Sequence, residues 1–244
     1  MLSAKRQLLF GAPWSPLKLP SLRMWHNDQG LYQTAGGTPA TADDDPVGRR
    51  VDQSGNGRHG NQTTALVRPN LDVAILNGRG TVKGDGLAKY LTVGDCDATG
   101  DWFIWHVMTG VFSPPTFAYA QSFAGTDGLY LNDAGAGNAL VGFFDGATTF
   151  ETTFAYTNAP ILVRVKNIAS TYTVNIRTVL GNYSGSAAKN DVNLSSVDLF
   201  RRGDGLNWLN NGLAESGICA AVPTDADVLK LDAYLNSYWG LALV

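Results

Sequence analysis

The sequence predicts an all-β fold: a sandwich of two antiparallel sheets, with one C-terminal α-helix and an extended N-terminal arm. Three observations lead to this prediction. Charged residues make up only 16% of the 244 residues, and glycine occupies 28 positions, which suits many strands and turns rather than long solvated helices. Several segments alternate apolar and polar residues with the period of a half-buried strand. A single persuasive helical pattern stands near the C-terminus.

The clearest strands lie in the middle of the chain. Residues 101–112 are apolar at both alternating sets of positions, as in a central strand that is buried on both faces. Residues 161–168 and 171–179 alternate cleanly, so each has one buried and one wet face, and the short segment between them predicts a hairpin. Further strands are predicted at residues 22–25, 74–76, 90–93, 117–123, 128–131, 139–144, 148–154, 196–201 and 213–221.

The predicted helix has signals at both of its ends. Thr224 is a capping residue, and Asp227 three residues later completes a capping box. Gly240 is a natural stop. The apolar positions between them recur at helical spacing, so we expect an amphipathic helix packed on the sandwich. Those positions are Val228, Leu231, Leu235 and Tyr238.

Residues 52–60 are dense in turn formers. They include three glycines, and Gly and Asn tolerate positive φ angles. Asp52 and Ser54 have side chains that bond to nearby backbone amides. The segment therefore predicts a tight turn that is hydrogen-bonded to itself.

Short motifs on both sides of this turn form a series. They are Leu22-Arg23-Met24-Trp25, Leu31-Tyr32-Gln33, Gly37-Thr38-Pro39, Pro46-Val47-Gly48, Asp52-Gln53-Ser54-Gly55-Asn56-Gly57, Arg68-Pro69, Lys83-Gly84-Asp85-Gly86 and, near the C-terminus, Ala233-Tyr234-Leu235-Asn236-Ser237-Tyr238-Trp239-Gly240-Leu241. The series resembles a concanavalin A-like (laminin G-like) jelly-roll domain, in the version found in structural proteins of tailed bacteriophages. The chain departs from that pattern at Arg50, where the family usually has Trp, and at Lys83-Gly84, where it has an apolar-Phe pair.

We divide the chain into an arm, residues 1–20, and one jelly-roll domain, residues 21–244. Prolines at three positions in the arm prevent a regular helix or ladder. Two interpretations are open: the arm covers an edge of its own sandwich, or it docks on another protein. Four basic residues and no acid up to residue 23 favour docking on an acidic partner or a neighbouring subunit. The candidate anchoring residues are Lys5, Arg6, Phe10, Trp14 and Lys18.

Composition argues against several classes of protein and partner. A formal charge of −3 argues against a nucleic-acid binder, because such proteins need a clustered cationic surface. We expect neither a secretory signal nor a membrane-spanning segment, and therefore no membrane partner. Cys96 and Cys219 are too few and too far apart for a disulfide framework, so reduced thiols are expected, with a single bridge as the alternative.

The positions of the glutamates are the first evidence for or against an enzyme. Glucanases of the same fold use paired carboxylates on one strand. This chain has two glutamates, Glu151 and Glu215, on different predicted strands. The acidic run at residues 43–45 reads as a solvated loop, and none of the histidines (His26, His59, His106) stands at metal-ligand spacing. We therefore predict that the protein is not an enzyme.

Calcium and sugars are the ligands that the sequence keeps open. Each pairing of oxygen ligands for Ca²⁺ is also explained by turn chemistry; the candidates are Asp127, Asn132, Asp133 and Asp145. A sugar site needs an exposed aromatic side chain with polar neighbours. The candidates for it are Tyr130, Asn207, Trp208, Asn210 and Asn211, and the alternative is that the aromatics anchor their loops in the core.

The main functional hypothesis is a non-enzymatic bacteriophage virion protein: a capsid decoration, head fibre or tail appendage, anchored by its arm. It implies synthesis in the host cytoplasm, assembly with other virion proteins and a homo-oligomer. The alternative is a carbohydrate-binding adhesin that recognises host surface polysaccharide. Glycan hydrolysis comes third.

Overall fold

The computed structural model describes residues 13–109, 118–123, 127–135, 137–145, 147, 149–156, 159–188, 190, 192–202 and 209–243. These residues form seventeen strands and one α-helix, α1, Asp225–Trp239. The strands are β1 Leu22–His26, β2 Leu31–Tyr32, β3 Arg49–Arg50, β4 Gly60–Asn61, β5 Asn70–Leu76, β6 Arg79–Lys83, β7 Leu91–Gly94, β8 Trp102–Thr109, β9 Ala118–Phe123, β10 Asp127–Gly135, β11 Asn138–Phe144, β12 Thr149–Ala155, β13 Ile161–Ile168, β14 Thr171–Arg177, β15 Asn182–Ala188, β16 Val197–Leu199 and β17 Gly212–Cys219.

The described strands pair into two antiparallel sheets. The eight-stranded sheet has the order β15-β14-β13-β8-β17-β6-β5, with β1 also paired to β17. The nine-stranded sheet has the order β12-β11-β10-β9-β16-β7-β4-β3-β2. The two-sheet sandwich with one C-terminal helix that the sequence predicted is confirmed.

Three layers follow from the alternation along the central strand β8. Trp102, Ile104 and Met108 point into the core between the two sheets. Phe103 and Trp105 point the other way, into a second core that α1 covers. A strand that is apolar on both faces therefore serves two cores, which explains why residues 102–109 carry so few polar side chains.

The structure also contains strands that the sequence analysis missed. Three of them, β2, β3 and β4, are two residues long, so they are too short to show any alternation. The others are β6 and β15, and β15 is a sheet edge made of small and polar residues. Its side chains alternate between exposed and half-buried, so no apolar period marks it.

The turn at residues 52–60 is hydrogen-bonded to itself, as predicted. The Asp52 carboxylate accepts hydrogen bonds from the backbone N–H groups of Ser54 and Arg58 and from the Ser54 hydroxyl. It also accepts one from the backbone N–H of Trp25, which ties the turn to β1. Burial alone would raise the pKa of Asp52, but these hydrogen bonds hold the pKa below its usual value.

Both ends of α1 are as predicted. Thr224 accepts a hydrogen bond from the backbone N–H of Asp227 at 3.2 Å, and its hydroxyl donates to the Asp227 carboxylate at 2.8 Å. Gly240 ends the helix with a left-handed φ of 63°, which favours glycine.

The described part of the arm, residues 13–20, contacts its own domain. It contains one turn of 3₁₀-helix, Pro16–Lys18. The Trp14 ring lies 6.1 Å from the ring of Tyr234 on α1, and Leu19 is buried in the core beneath the helix. Lys18 is exposed, and Lys5, Arg6 and Phe10 lie outside the described residues.

Both cysteines are free and buried, in different cores. Burial raises the pKa of each thiol, Cys96 and Cys219, to about 12. The structure therefore does not join the two thiols, and their reduced state stays a prediction.

Beneath α1, the Glu215 carboxylate is fully buried and accepts hydrogen bonds from three indole N–H groups. The donors are Trp25 on β1 at 2.9 Å, Trp105 on β8 at 3.3 Å and Trp239 on α1 at 2.7 Å. Burial raises the pKa of Glu215 to about 7, and the indole hydrogen bonds oppose that shift. One side chain thus joins the helix to three adjacent strands of the sheet.

A buried cation lies near Glu215. Arg50, on β3 of the nine-stranded sheet, donates from Nη2 to the carbonyl of Ala214, the residue before Glu215, and from Nε to the carbonyl of Asn27. Burial lowers the pKa of Arg50 to about 10, while the negative charge of Glu215 raises it. The arginine that departs from the family pattern therefore fills a core position and links the two sheets.

We expect Trp239→Phe to lower the free energy of unfolding by about 2–4 kcal/mol, because it removes a buried hydrogen bond to Glu215 and leaves a cavity. Urea denaturation followed by circular dichroism measures the change. Trp14→Phe is the matched control at a half-buried position, and its loss should stay below about 1 kcal/mol. Equal losses would show that Glu215 does not hold the helix.

Glu215 should also make stability depend on pH. Its pKa is about 7 in the folded chain and 4.5 as an isolated side chain, so the folded state holds the proton more tightly. Protonated Glu215 therefore contributes its full stabilisation of the folded state below pH 4.5. This contribution to the free energy of unfolding disappears as the pH rises through 7. Between pH 4.5 and pH 8, the unfolding free energy of the wild type relative to Glu215→Gln should fall by about 3 kcal/mol. A difference that does not change with pH would contradict this assignment.

Candidate functional site

A groove of about 440 Å³ runs between the N-terminal half of α1 and the outer face of strands β13, β14 and β15. Residues 225, 228, 229 and 232 recur at helical spacing, so they line one wall together. The floor comes from the wet faces of the two strands that the sequence marked as half-buried. The lining residues are Arg164, Asn175, Ile176, Arg177, Asn182, Tyr183, Asp225, Val228, Leu229 and Asp232.

Strand register brings the polar floor together. Arg164 on β13 lies directly opposite Asn175 on β14, and Arg177 lies opposite Asn182 on β15. Side chains of directly opposed residues share one face of a sheet and stand about 5 Å apart at Cβ. Four polar side chains from three strands therefore form one patch beside the helix.

Asp232 fixes the helix wall to this floor. Both of its carboxylate oxygens accept hydrogen bonds from Arg164 Nη1 at 2.8 Å, and one also accepts from Arg177 Nη1 at 2.7 Å. Burial lowers the pKa of Arg164, Asp232 raises it, and the adjacent Arg177 lowers it further. Since both arginines bond to one carboxylate, their side chains are held in place before any ligand arrives.

The groove combines a formally neutral set of charges with apolar surface. Two arginines are balanced by Asp225 and Asp232 among the described lining residues. Leu229, 68% exposed on the helix wall, supplies apolar surface, whereas the ring of Tyr183 turns inward and packs against Phe154 at the core between the sheets. Apolar contacts with a few fixed polar groups are typical of sites for small uncharged ligands.

The sugar candidates from the sequence have different surroundings. Tyr130 is buried on β10, where its hydroxyl donates to Glu151 at 2.8 Å and its ring lies against Gly142. A Cβ at Gly142 would stand 2.1 Å from the Tyr130 ring, so the aromatic is packed rather than open to a ligand.

The second group of candidates flanks the start of β17. Asn210 is exposed and Asn211 is buried; the backbone carbonyl of Asn211 accepts a hydrogen bond from the N–H of Gly84. Asn207 and Trp208 lie outside the described residues. The described part of this loop thus packs on the motif at residues 83–86.

The structure brings together two of the four calcium candidates. Burial and, to a smaller extent, the negative charge of Asp145 together raise the pKa of Asp127 to about 6. Asp145 accepts backbone hydrogen bonds from Ala147 and Asn190. Asn132 and Asp133 lie towards the other end of β10, where each accepts a hydrogen bond from a nearby backbone N–H. Within the described ranges, no three His, Cys, Asp or Glu side chains form a metal-binding group, so a calcium site stays a prediction.

The two glutamates do not form a pair. Glu151 is exposed on β12 of the nine-stranded sheet, and Glu215 is sealed among indoles on the far side of the other sheet. The groove itself was missed, although the sequence had marked the wet faces of residues 161–168 and 171–179. The missing information was the position of the helix over them. In the part of the chain that is described, no helix is both long enough and apolar enough to cross a membrane.

No family model matches the chain, and no curated protein matches it either. Solved structures share its fold. An arabinofuranosidase complexed with arabinofuranosyl-α-1,2-xylobiose superposes with a TM-score of 0.59 at 15% identity, covering 82% of this chain and 52% of that chain. Domain 4 of AbnA, a GH43 extracellular arabinanase from Geobacillus stearothermophilus, in complex with arabinotriose, gives 0.58 at 11% identity, covering 88% and 99%. The botulinum neurotoxin serotype D binding domain gives 0.55 at 12%, covering 88% and 52%.

These comparisons show the fold, a concanavalin A-like β-sandwich, as the motifs implied. The chain spans about half the length of the arabinofuranosidase and of the neurotoxin domain, at 52% each, but nearly the whole of the arabinanase domain.

We expect Asp232→Asn to lower the free energy of unfolding by about 2–4 kcal/mol, because two largely buried guanidinium groups lose their shared carboxylate. Thermal and urea denaturation measure the loss. Asp225→Asn is the control on the same helix face, because Asp225 is exposed; its effect should stay below about 1 kcal/mol. A loss for Asp232→Asn no larger than that of the control would mean that the ion pairs do not fix the groove.

Proposed function

We propose that this protein is a non-enzymatic carbohydrate-binding module, and that its groove binds a neutral oligosaccharide. One observation carries the proposal: the groove presents a preorganised, formally neutral set of polar side chains beside exposed apolar surface. Sugars without charged groups bind through such combinations of hydrogen bonds and apolar contact.

The compared structures support this choice of ligand. The arabinanase domain, which has nearly the size of this chain, was solved with arabinotriose, and the arabinofuranosidase with an arabinofuranosyl xylobiose. Pentose oligosaccharides are therefore the first ligands to test. Host surface polysaccharide, the ligand of the sequence-based alternative, belongs to the same chemical class.

Absence of catalysis is part of the proposal. Asp232 is bonded to two arginines, which leaves Asp225 as the second carboxylate among the described lining residues. Glycoside hydrolysis requires two carboxyl groups placed on either side of the scissile bond. The groove is thus suited to holding a glycan without cleaving it.

Display on a bacteriophage particle stays a prediction, as do synthesis in the host cytoplasm and assembly into a homo-oligomer. The structural comparisons do not bear on these points. Trp14 and Leu19 pack on their own domain, so docking on a partner would fall to the remaining anchoring candidates, Lys5, Arg6, Phe10 and Lys18.

Isothermal titration with arabinotriose, preceded by a glycan array, tests the function. Asn175→Ala removes a polar side chain from the groove floor, and it should weaken binding about tenfold, since one lost hydrogen bond is worth about 1.4 kcal/mol. Asn132→Ala, a half-buried strand asparagine on the other sheet, is the control and should leave the affinity unchanged.

Three outcomes are distinguishable. If no glycan binds on the array or in the titration, the proposed function is wrong. Binding that weakens with Asn132→Ala and not with Asn175→Ala would keep the function and reject the groove as its site. Release of reducing ends from any bound polysaccharide would overturn the non-enzymatic assignment.

A further inference from the structure

A row of polar residues crosses the core between the two sheets. Register places Ser216 on β17 directly opposite His26 on β1 and directly opposite His106 on β8. All three side chains are fully buried. Directly opposed residues share a face, and Met24 and Ile104 on the same two strands belong to the core between the sheets, so the row faces the nine-stranded sheet.

Two polar residues of the nine-stranded sheet reach this row. Gln121 on β9 bonds through Oε1 to His106 Nε2 at 2.7 Å. Arg50 on β3 bonds to the Ala214 carbonyl, two residues before Ser216, and its charge lowers the pKa of both histidines. The five side chains therefore form one interior cluster, His26, Arg50, His106, Gln121 and Ser216, which we call the interior polar cluster.

Each member of the cluster keeps one polar atom without a partner among the described residues. These atoms are His26 Nδ1, Arg50 Nη1, His106 Nδ1, Gln121 Nε2 and Ser216 Oγ. A buried polar group without a hydrogen bond is costly, and folded proteins satisfy more than nine-tenths of such groups with protein or ordered water. Five such atoms, on side chains that strand register, a hydrogen bond and charge relate to one another, therefore point to a bound molecule.

The positions of the protons on the two histidines indicate what kind of molecule the cluster can bind. His26 Nε2 must donate, because its partner at 2.8 Å is the Arg58 carbonyl. His106 Nε2 donates to the Gln121 side-chain oxygen. Each neutral imidazole then presents Nδ1 as an acceptor. Arg50 Nη1 and Gln121 Nε2 are donors, and Ser216 Oγ can do both.

An anion would satisfy the donors but would face two imidazole lone pairs. A metal ion would meet the Arg50 charge. Water is both donor and acceptor, and it matches the whole set. We propose that ordered internal water molecules bind the interior polar cluster, bridging the Arg50 guanidinium to the two histidines and joining the two sheets.

We place the water molecules beside Ser216. Its side chain is the shortest of the row and stands between two imidazoles, while the facing sheets of a sandwich lie about 10 Å apart. The space above a serine in that position is not filled by its own side chain. Burial also lowers the pKa of His26 to about 3 and of His106 to about 4, which keeps both Nδ1 atoms available as acceptors.

A crystal structure of the full chain at high resolution, from crystals soaked in sodium bromide, tests the proposal. We expect water density about 2.7–3.2 Å from Arg50 Nη1 and from at least one histidine Nδ1. No bromide peak should appear in the anomalous map at the cluster. An anomalous peak there would show that the cluster binds a halide ion instead of water. Direct contacts between the side chains, with no density between them, would show that the cluster binds no molecule at all.

Ser216→Val provides an independent check in solution and in the crystal. The branched side chain should displace at least one water molecule and lower the melting temperature, because it leaves Arg50 Nη1 and the histidines unsatisfied. Ser184→Val, on the exposed face of β15, controls for strand propensity and should leave the melting temperature unchanged or raise it. If both variants behave alike, the cluster is satisfied without water at Ser216.

Discussion

The hydrogen bonds from three indoles to Glu215 connect the helix to three strands of the sheet beneath it. The carboxylate belongs to β17, its donors come from β1, β8 and α1, and the Arg50 charge lies near it. A buried carboxyl group costs free energy, and each indole hydrogen bond offsets part of that cost, so losing any one donor destabilises the arrangement. The helix is therefore held in one position on the sheet. Because α1 forms one wall of the groove, this interaction also sets the shape of the candidate site.

Patterns of local origin could be predicted from the sequence. The alternation in residues 161–168, the cap at Thr224 and the turn formers at residues 52–60 each depend on neighbours in the chain, and all three were confirmed. Glu215 and Arg50 show where such reasoning stops. Trp25, Trp105 and Trp239 are separated by 80 or more residues along the chain, so nothing in the local sequence marks them as donors to one carboxylate. Strands of two residues, such as β3, exist because of their sheet neighbours rather than their own pattern.

For the same reason, the strand floor of the candidate site could be predicted from the sequence, but its helix wall could not. The wet faces of two strands were visible, and they supply Arg164, Asn175 and Arg177, but the helix wall could not be placed from sequence. Composition offered Tyr130 as a candidate sugar contact, because an aromatic residue among Asn, Asp and Gly has the chemistry of a lectin loop, beside the alternative that the ring anchors its loop in the core. That chemistry cannot distinguish an exposed ring from one packed on Gly142. The answer depends on which face of β10 the ring occupies and on what lies against it.

The proposal of binding without catalysis rests on how several acidic groups are used. Asp232 gives both of its oxygens to arginines, Asp52 gives its carboxylate to a turn, and Glu215 is enclosed by indoles. Each of these carboxylates is engaged in holding the fold, and an acid that does so is not free to exchange protons with a substrate. The groove keeps hydrogen-bonding amides and apolar surface, the groups through which we propose that it recognises a sugar. The small share of charged residues in the chain, 16%, is therefore in keeping with the proposed recognition of a neutral glycan.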